Sequence, residues 1–259
     1  MCLTIQVRLV IKMKTIVAKA DLENEELFRK ASDILKSGGL VAFPTETVYG
    51  LGGDALNPKA SEKIYSAKGR PSDNPLIVHI ADTASVWELA AEVSTQAQML
   101  MEAFWPGPLT IIFKKKDIVP HETTGGLETV AIRMPSHPAA MKLIQDSGVY
   151  IAAPSANLSG RPSPTTAAHV EEDLSGRIDM ILDGGPVGIG IESTIVDVTG
   201  DRPTILRPGY ISADMIKNIL GDVMIDPALE SVDMKVRPKA PGMKYTCLLY
   251  TSDAADDRI

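Results

Sequence analysis

The sequence predicts a mixed α/β fold in which helices flank an open, twisted β-sheet. Apolar runs of strand length alternate with amphipathic segments of helix length along most of the chain. Some consecutive predicted strands have no helix between them, which favours a mixed sheet over a regular doubly wound one. The hydrophobic content of 44% is ordinary for a globular protein and supplies enough apolar material for a sizeable core.

Short apolar runs bounded by glycine, proline or polar residues define the predicted strands. These strands cover residues 13–20, 40–43, 76–80, 109–113, 129–134, 149–153, 178–182, 194–198 and 204–206. Residues 222–237 then read as a mixed stretch without a clear period, as in a linker.

Apolar residues at helical spacing, between capping residues and stop glycines, define the predicted helices. The first begins at Asp21 or Asn24 and runs to about Ser37, before Gly38. In the predicted helix over residues 87–103, Trp87 is among the residues available for burial. The later helices cover residues 60–67, 87–103, 138–145, 166–174 and Ser212 to 220, where Gly221 stops the last one.

Charge and cysteine content argue against several classes of function. The net charge of −7 gives no overall basic field for nucleic acid, so any anion site must be local. Cys2 and Cys247 form neither a metal-ligand spacing nor a disulfide framework, which fits a reducing cytosol. No apolar run approaches the length of a membrane span, and residues 1–20 lack the pattern of a signal peptide. Met13 is an alternative start.

Two polar segments carry the strongest functional signal. PTETVYGLG, residues 44–52, follows the apolar run 40–43, and KGRPSDNPLIVH, residues 68–79, places basic groups around two prolines. Hydroxyls and backbone amides at a strand end, beside a rigid basic loop, suit a phosphate-bearing ligand. The chain contains no P-loop, dinucleotide fingerprint, nucleophile elbow or H-E-x-x-H motif, so a nucleotide would bind by an uncommon route.

Candidate ligand groups recur after the predicted strands, where open α/β sheets place their binding sites. They are Thr45, Glu46, Thr47, Lys68, Arg70, Asn74, His79, Thr129, Arg133, Ser155, Asn157, Ser163, Ser193, Thr194 and Arg207.

Several of these groups also have a purely structural interpretation. Arg133 lies within an apolar strand and is either a member of a buried ion pair or a clamp for a ligand carboxylate. His79 ends an apolar strand, where a lone histidine is more often a core residue than a ligand. Glu46 could orient a nucleophile, hold Mg²⁺, cap a helix or lie on the surface. The glycine-rich segment 183–194 could be a flexible loop, a lid, or a place where a ligand approaches backbone amides.

Seven segments, taken in order, resemble the YrdC-like threonylcarbamoyl-AMP synthases. They are GGLVAFPTETVYGLG, KGRPSDNPLIVH, WPGPLT, TVAIRMPSHP, APSANLSGRPSPT, GIESTIVDV and ILRPG. The resemblance covers residues 15–220 and implies a YrdC-like catalytic domain over 15–221, with its open, twisted mixed sheet and flanking helices around a deep basic cavity. It is to the longer branch of the family, so residues 222–245 are expected to be a linker. Residues 246–259 match neither that linker nor the family's second domain, so we expect a non-family tail there and no second domain.

The resemblance implies that L-threonine, bicarbonate or CO2, and ATP give threonylcarbamoyl-AMP and pyrophosphate. Mapped motif by motif, the L-threonine site would consist of Thr47, His79, Arg133, the backbone of Ala153, and Ser193. The ATP site would consist of Arg70, Asn74, Thr129, Ser155, Ser163 and Arg207.

Catalysis would then depend on positioning and charge neutralisation, with Lys68, Arg70 and Arg133 as the catalytic residues and Arg207 adding charge. Mg²⁺ is expected to arrive on the ATP phosphates, with no metal site of the protein's own. A short-lived carbamate calls for a closable cavity, and residues 184–190 and the linker are the candidate covers. The product would pass to a partner enzyme that modifies the adenosine beside the tRNA anticodon. This chain would therefore act on tRNA only indirectly. The resemblance also implies a cytoplasmic location and no membrane.

Two alternatives stand beside this interpretation. One is a relative of the same fold that binds nucleotide or RNA without turnover; the basic and hydroxyl groups retained here, and the acidic net charge, weigh against it. The other is the related domain of carbamoyl-transferring hydrogenase-maturation proteins. Those chains add zinc-finger cysteines and a further catalytic domain, which a chain with two cysteines does not fit.

Overall fold

The computed structural model describes residues 14–229, which form one mixed sheet with helices on both faces. The strands are β1 Ile16–Lys19, β2 Val41–Phe43, β3 Gly50–Asp54, β4 Ile77–His79, β5 Leu109–Lys114, β6 Thr129–Arg133, β7 Ile151–Ala152, β8 Met180–Asp183, β9 Thr194–Asp197, β10 Thr204–Arg207 and β11 Met224–Ile225. The helices are α1 Glu25–Lys36, α2 Pro58–Lys68, α3 Val86–Leu89, α4 Thr95–Phe104, α5 Pro138–Ser147, α6 Ala167–Leu174 and α7 Ala213–Leu220, with single 3₁₀ turns at Thr83–Ser85 and Pro227–Leu229.

The sheet is open and mixed, as the sequence predicts. Its strand order is β1-β8-β2-β3-β7-β4-β6-β5-β9-β10-β11, so that β1 and β11 form the two edges. The pairs β1–β8, β2–β8, β4–β6, β5–β9 and β10–β11 are parallel, and the pairs β2–β3, β3–β7, β4–β7, β5–β6 and β9–β10 are antiparallel.

Alternate residues of the central strands enter cores on opposite faces of the sheet. In β2, Val41 and Phe43 join the cluster formed with α1 and α5, whereas Ala42 joins the larger cluster formed with α2, α4, α6 and α7. The period of two along a strand produces this division. Helices on both faces therefore bury both sides of the sheet and leave the strand ends available for polar groups.

Most predicted elements are confirmed to within a few residues, but β3 was not predicted. Its sequence GLGGD resembles a loop, yet four of its five residues are buried. A Cβ at Gly52 would lie 2.7 Å from Ile151 Cγ2 and 2.8 Å from the Phe43 ring. The glycines are therefore required by close packing between strands, which an interpretation based on strand propensity misses.

The single helix predicted over residues 87–103 is two helices. Ser94 caps the second of them, with its Oγ accepting from Ala97 N at 3.2 Å, so the chain breaks between α3 and α4. The expectation that Trp87 is buried was wrong. Its side chain is 48% exposed, because α3 has only four residues and buries Val86 and Leu89 instead.

The chain beyond α7 also differs from the prediction. Residues 224–225, expected in a linker, form β11 on β10, in register Thr204 to Met224 and Ile205 to Ile225. A 3₁₀ turn follows at Pro227–Leu229. Residues 230–245 of the predicted linker, the tail 246–259, Met13 and both cysteines lie outside the described residues. Within residues 14–229, no helix is long and apolar enough to cross a membrane.

Candidate active site

The guanidinium of Arg133 lies at the end of β6 and is held from two sides. Its Nη1 donates to Thr47 Oγ1 at 2.9 Å, and its Nη2 donates to Glu46 Oε1 at 2.6 Å. The other carboxylate oxygen of Glu46 accepts from Ser136 N at 3.1 Å. Arg133 is 4% exposed, and its Nε has no hydrogen-bond partner within the described part of the chain.

These contacts assign the acidic partner that the sequence did not reveal. Glu46 lies 87 residues before Arg133, in the turn between β2 and β3, so no pattern along β6 points to it. Arg133 is therefore a member of a buried ion pair with Glu46, which was one of its two predicted roles. The clamp for a ligand carboxylate stays a prediction.

His79 is the neighbour of Arg133 in the parallel pair β4–β6. It is fully buried, with its ring edge-on to Phe43 at a centroid distance of 6.0 Å and Nδ1 3.1 Å from Ile77 O. Burial, and then the charge of Arg133, lower the pKa of His79 to about 3. The imidazole is therefore neutral near pH 7, and can take part in a hydrogen bond to a ligand without adding charge.

Ser193 contacts Arg207 and lies beside the strand that pairs with the end of β6. The Ser193 hydroxyl is 2.7 Å from Thr110 Oγ1, and Thr110 is the register partner of Arg133 in the pair β5–β6. Arg207, at the end of β10, donates from Nη2 to Ser193 Oγ at 3.1 Å and from Nε to Ser193 O at 3.0 Å. Predicted L-threonine and ATP ligands thus meet at one hydroxyl.

Lys68, in the last turn of α2, is buried beside the segment that follows β7. Its Nζ donates to the carbonyl oxygens of Ser155 and Asn157 and lies 3.4 Å from Asn157 Oδ1. Burial and the charge of Arg70 lower the pKa of Lys68 well below its usual value. Its Nζ hydrogen bonds support the backbone that carries Ser155.

Arg70, Asn74 and Thr129 lie at the opposite end of β4 and β6 from His79 and Arg133. Since β4 and β6 run parallel, the residues that precede or begin them share one end of the sheet. Arg70 donates from Nε to Asn74 O at 3.3 Å and from Nη2 to Pro75 O at 3.0 Å. The length of β6 separates the two ends by about 13 Å.

Asn74 is fully buried, and neither polar atom of its amide has a hydrogen-bond partner within the described residues. The turn that contains Gly125 packs directly on it. Gly125 has a φ of +60°, and a Cβ there would be 3.1 Å from Asp73 O, so this close approach requires glycine.

Glu192 lies between the two ends of the site and was not among the sequence-predicted ligands. It accepts a hydrogen bond from Ser163 Oγ. Burial alone would raise the pKa of Glu192, but Arg207, the Ser163 hydroxyl and Lys68 together lower it. Both Lys68 and Arg207 thus favour the charged form of this carboxylate.

The loop 184–190 is tied to the turn between β2 and β3. Ile189 N donates to Glu46 O at 3.0 Å, Gly190 N to Thr47 O at 2.9 Å and Val187 N to Thr165 O at 3.0 Å. Tyr49 adds a side-chain tie, since its hydroxyl donates to Gly185 O at 2.6 Å and accepts from Gly184 N at 3.2 Å. Hydrogen bonds therefore hold the loop 184–190 against the turn that carries Glu46 and Thr47.

The structure thus places the predicted ligands in two connected groups. Thr47, His79, Arg133, Ser193 and Arg207 form one group, and Ala153 is linked to the first residue of β4 through Ala153 N to Ile77 O at 2.8 Å. The other group contains Lys68, Arg70, Asn74, Thr129 and Ser155, and Ser163 joins the two through Glu192. Thr110, Tyr49 and Glu192 were missed, because each acts through contacts between segments distant in sequence.

Protein side chains do not form a multidentate metal site in residues 14–229. No three His, Cys, Asp or Glu residues there lie close enough together to hold an ion. Glu46 already pairs with Arg133, and Glu192 with Ser163.

Comparisons with known proteins agree with one another. The family model Sua5_yciO_yrdC, described as telomere recombination, matches residues 33–209. A Bacillus subtilis (strain 168) protein named threonylcarbamoyl-AMP synthase is 54% identical over 233 residues, which are 90% of this chain and 67% of that protein. A Pyrococcus abyssi protein of the same name is 51% identical over 235 residues, covering 90% and 68%.

Solved structures show the same likeness. The crystal structure of P. abyssi Sua5 complexed with L-threonine has a TM-score of 0.84 at 49% identity and covers 90% of this chain and 67% of that one. The E. coli YciO structure has a TM-score of 0.69 at 25% identity, covering 79% and 98%. A nucleotide-bound full-length HypF, at 20% identity and a TM-score of 0.62, shares the fold over 70% of this chain and 28% of its own.

Proposed function

The chain belongs to the Sua5–YciO–YrdC family, and we propose that its site makes threonylcarbamoyl-AMP and pyrophosphate from L-threonine, bicarbonate or CO2, and ATP. One structural observation carries the proposal most directly. The buried Arg133 guanidinium is oriented by Thr47 and Glu46. Ser193, a predicted L-threonine ligand, contacts Arg207, a predicted ATP ligand. An amino-acid end and a nucleotide end are thereby joined in one site.

The L-threonine end is formed around Arg133. A guanidinium is the side chain best suited to a planar carboxylate, which can accept two parallel hydrogen bonds from it. The Thr47 and Ser193 hydroxyls and the backbone of Ala153 are the remaining polar groups for the amino acid. A neutral His79 beside Arg133 adds no second charge that would hold the substrate too tightly.

The ATP end is formed by Arg70, Asn74, Thr129 and Ser155, with Ser163 and Arg207 extending it toward the amino acid. A buried amide without partners costs about 1–3 kcal/mol. A ligand that paired with Asn74 would recover that free energy, and adenine or a phosphate oxygen offers the complementary groups. The cationic side chains of Arg70 and Arg207 would balance the phosphate charge.

The chemistry needs positioned substrates and no covalent enzyme intermediate. The threonine ammonium releases a proton to water, and the resulting amine nitrogen attacks the carbon of CO2. A second proton leaves the nitrogen to water, which gives a carbamate. A carbamate oxygen then attacks the α-phosphorus of ATP, a P–O bond forms, and pyrophosphate leaves with the electrons of the bond that breaks. Arg133 fixes the amino acid for this sequence, and the cationic groups of the ATP end stabilise the developing charge.

We propose that Mg²⁺ comes to this site bound to ATP. Glu46 and Glu192, the carboxylates near the site, pair with Arg133 and Ser163. The ion would neutralise phosphate charge when it is present. Arg70 and Arg207 remain the protein's own contribution to that neutralisation.

The remaining parts of the proposal concern what happens to the product. Threonylcarbamoyl-AMP would be taken up by a partner enzyme, which transfers the threonylcarbamoyl group to the adenosine next to the anticodon of tRNA. This chain would then meet tRNA only indirectly, and a cytoplasmic location would place it with its substrates and that partner.

The test is pyrophosphate release from ATP by the full chain, with and without L-threonine and bicarbonate. We expect release to require both, and L-threonine to be preferred over L-serine. Binding of ATP without threonine-dependent release of pyrophosphate would favour the alternative, a relative that binds nucleotide without turnover.

A further inference from the structure

The segment over residues 153–163 carries two predicted ATP ligands, Ser155 and Ser163, yet it belongs to no helix or regular strand. Backbone hydrogen bonds hold parts of it, such as Ala156 N to Tyr49 O and Ser159 N to Lys68 O, and side chains supply the remaining contacts. On one side, Lys68 bonds to the carbonyl oxygens of Ser155 and Asn157. Within the segment, the Asn157 amide donates to Leu158 O at 2.8 Å and to Arg161 O at 2.7 Å.

Asp173, in the last turn of α6, holds the other side of this segment. Its Oδ2 accepts from Leu158 N at 2.9 Å, and its Oδ1 accepts from Arg161 Nη1 at 2.5 Å. The side chain is buried, with 7% of its area exposed. Its charge also raises the pKa of Lys68, against the lowering by burial and Arg70.

Nothing in the helix itself favours an aspartate at this place. Aspartate has low helix propensity, and a negative charge near a helix C-terminus is opposed by the helix dipole. Arg161 and the nearby Lys68 offset that cost. The carboxylate is therefore best explained by what it binds, the backbone amide of Leu158 and the side chain of Arg161.

We infer that Asp173 is a positioning residue for the nucleotide, which fixes residues 157–161 and thereby places Ser155 and Ser163 for ATP. The inference rests on the proposed function for the identity of the ligand. It separates ATP from L-threonine, because residues 157–161 lie between Ser155 and Ser163, whereas Ala153 is held by β4 through Ile77 O. Loss of its charge should weaken ATP binding and leave L-threonine binding unchanged.

The test compares Asp173→Asn with Glu172→Gln in the full chain. Asparagine keeps the volume and one oxygen acceptor but removes the charge. Glu172 is the matched control, since it lies next to Asp173 and is 3.3 Å from the same Arg161 nitrogen, but is largely exposed. The KM for ATP and kcat come from pyrophosphate release, and the affinities for ATP and L-threonine come from calorimetry with each ligand alone.

We expect D173N to raise the KM and Kd for ATP about tenfold, while kcat and the L-threonine Kd stay within about twofold. E172Q should match the unchanged chain. Asp173→Ala, which removes both acceptors, should weaken ATP binding further and speed hydrogen exchange at the Leu158 amide.

The inference is overturned if folded D173N binds ATP normally. It is also overturned if ATP and L-threonine affinities fall equally together with Tm, because that pattern marks a purely structural role. If neither variant folds, ATP should still slow hydrogen exchange over residues 157–161 of the unchanged chain, and unaltered exchange there would overturn it. Direct ATP binding keeps this outcome separate from a failure of the proposed reaction.

Discussion

Arg133 is oriented before any substrate reaches it, and the orientation has a thermodynamic consequence. Its partner Glu46 has a side chain only 14% exposed. Removing one member of such a pair leaves a buried charge without compensation, at a cost of about 3–5 kcal/mol. A loss of activity in an Arg133 variant can therefore come from the missing guanidinium or from the buried, unpaired carboxylate of Glu46. An experiment must separate these two causes.

We expect Arg133→Ala to lower threonine-dependent turnover by about 100-fold or more while most ATP binding is retained. The physical reason is the loss of the charged donor for the substrate carboxylate. The double variant Glu46→Gln with Arg133→Gln removes both charges and should recover much of the lost stability in urea unfolding, but no turnover. Unchanged L-threonine affinity in either variant would show that the carboxylate binds elsewhere.

His79 predicts a pH dependence of stability. Its pKa is about 3 in the folded chain, below the value of 6.5 for a free histidine. Between these values the unfolded state binds more protons, so stability is lost as the pH falls through this window. The loss from this residue should be about 2 kcal/mol at pH 5 relative to pH 8.

The measurement is the free energy of urea unfolding at pH 8 and pH 5 for the unchanged chain and for His79→Gln. The fall in unfolding free energy from pH 8 to pH 5 should be about 2 kcal/mol smaller in His79→Gln than in the unchanged chain. His137 also has a lowered pKa, through burial, and it contributes equally to both proteins. An equal pH dependence in the two proteins would mean that folding does not lower the pKa of His79.

At the scale of single residues, sequence reasoning found side chains that carry chemistry and missed those that organise them. Arg133 was conspicuous because an arginine interrupts an apolar strand. Its partner Glu46 came from a turn, and Glu192 and Asp173 had no local pattern at all. Hydrogen bonds between distant segments depend on the packed fold, and a single sequence does not display them.

At the scale of elements, the loop 184–190 was expected to be one of the covers of the site. It is held by backbone bonds to Glu46, Thr47 and Thr165 and by the Tyr49 hydroxyl. Burial raises the pKa of Tyr49 to about 12, so this hydroxyl stays protonated and able to donate at any working pH. An opening motion would have to break these bonds.

We predict that Tyr49→Phe loosens this loop without unfolding the chain. The lost bond to Gly185 O contributes about 1 kcal/mol, so the amides of residues 184–190 should exchange several-fold faster. Tyr210→Phe is the matched control, because Tyr210 is largely exposed. Hydrogen exchange measured by mass spectrometry distinguishes them, and equal exchange in both variants would show that the backbone bonds alone hold the loop.

The helices with clear caps were predicted well, since capping is a local property. Asn24 and Ser212 cap α1 and α7 in the structure as the sequence indicated. The elements that were missed, β3 and β11, depend on neighbours. The glycines of β3 make sense only beside Phe43 and Ile151, and β11 exists through its pairing with β10.

At the scale of the whole molecule, every candidate ligand group lies within residues 45–207, so the two ends of the chain can be tested separately. We predict that deletion of residues 246–259 leaves turnover unchanged. Deletion from Asp222 onward should instead raise the KM for ATP, because it removes β11 from the strand that carries Arg207. Pyrophosphate release at varied ATP measures both, and a large loss from the shorter deletion would make the tail functional.

The pairing of β1 with β8 has a consequence for how the protein is made. The Thr15 hydroxyl donates to Ile178 O across 163 residues of sequence, and β8 also stands between β1 and β2. During synthesis, β1 therefore emerges from the ribosome long before β8, its partner in the sheet formed by residues 14–229. Pairing over such a distance is slow, and an apolar strand without a partner invites association with other chains. Production of the protein should accordingly depend on chaperone capacity until residue 183 has left the ribosome.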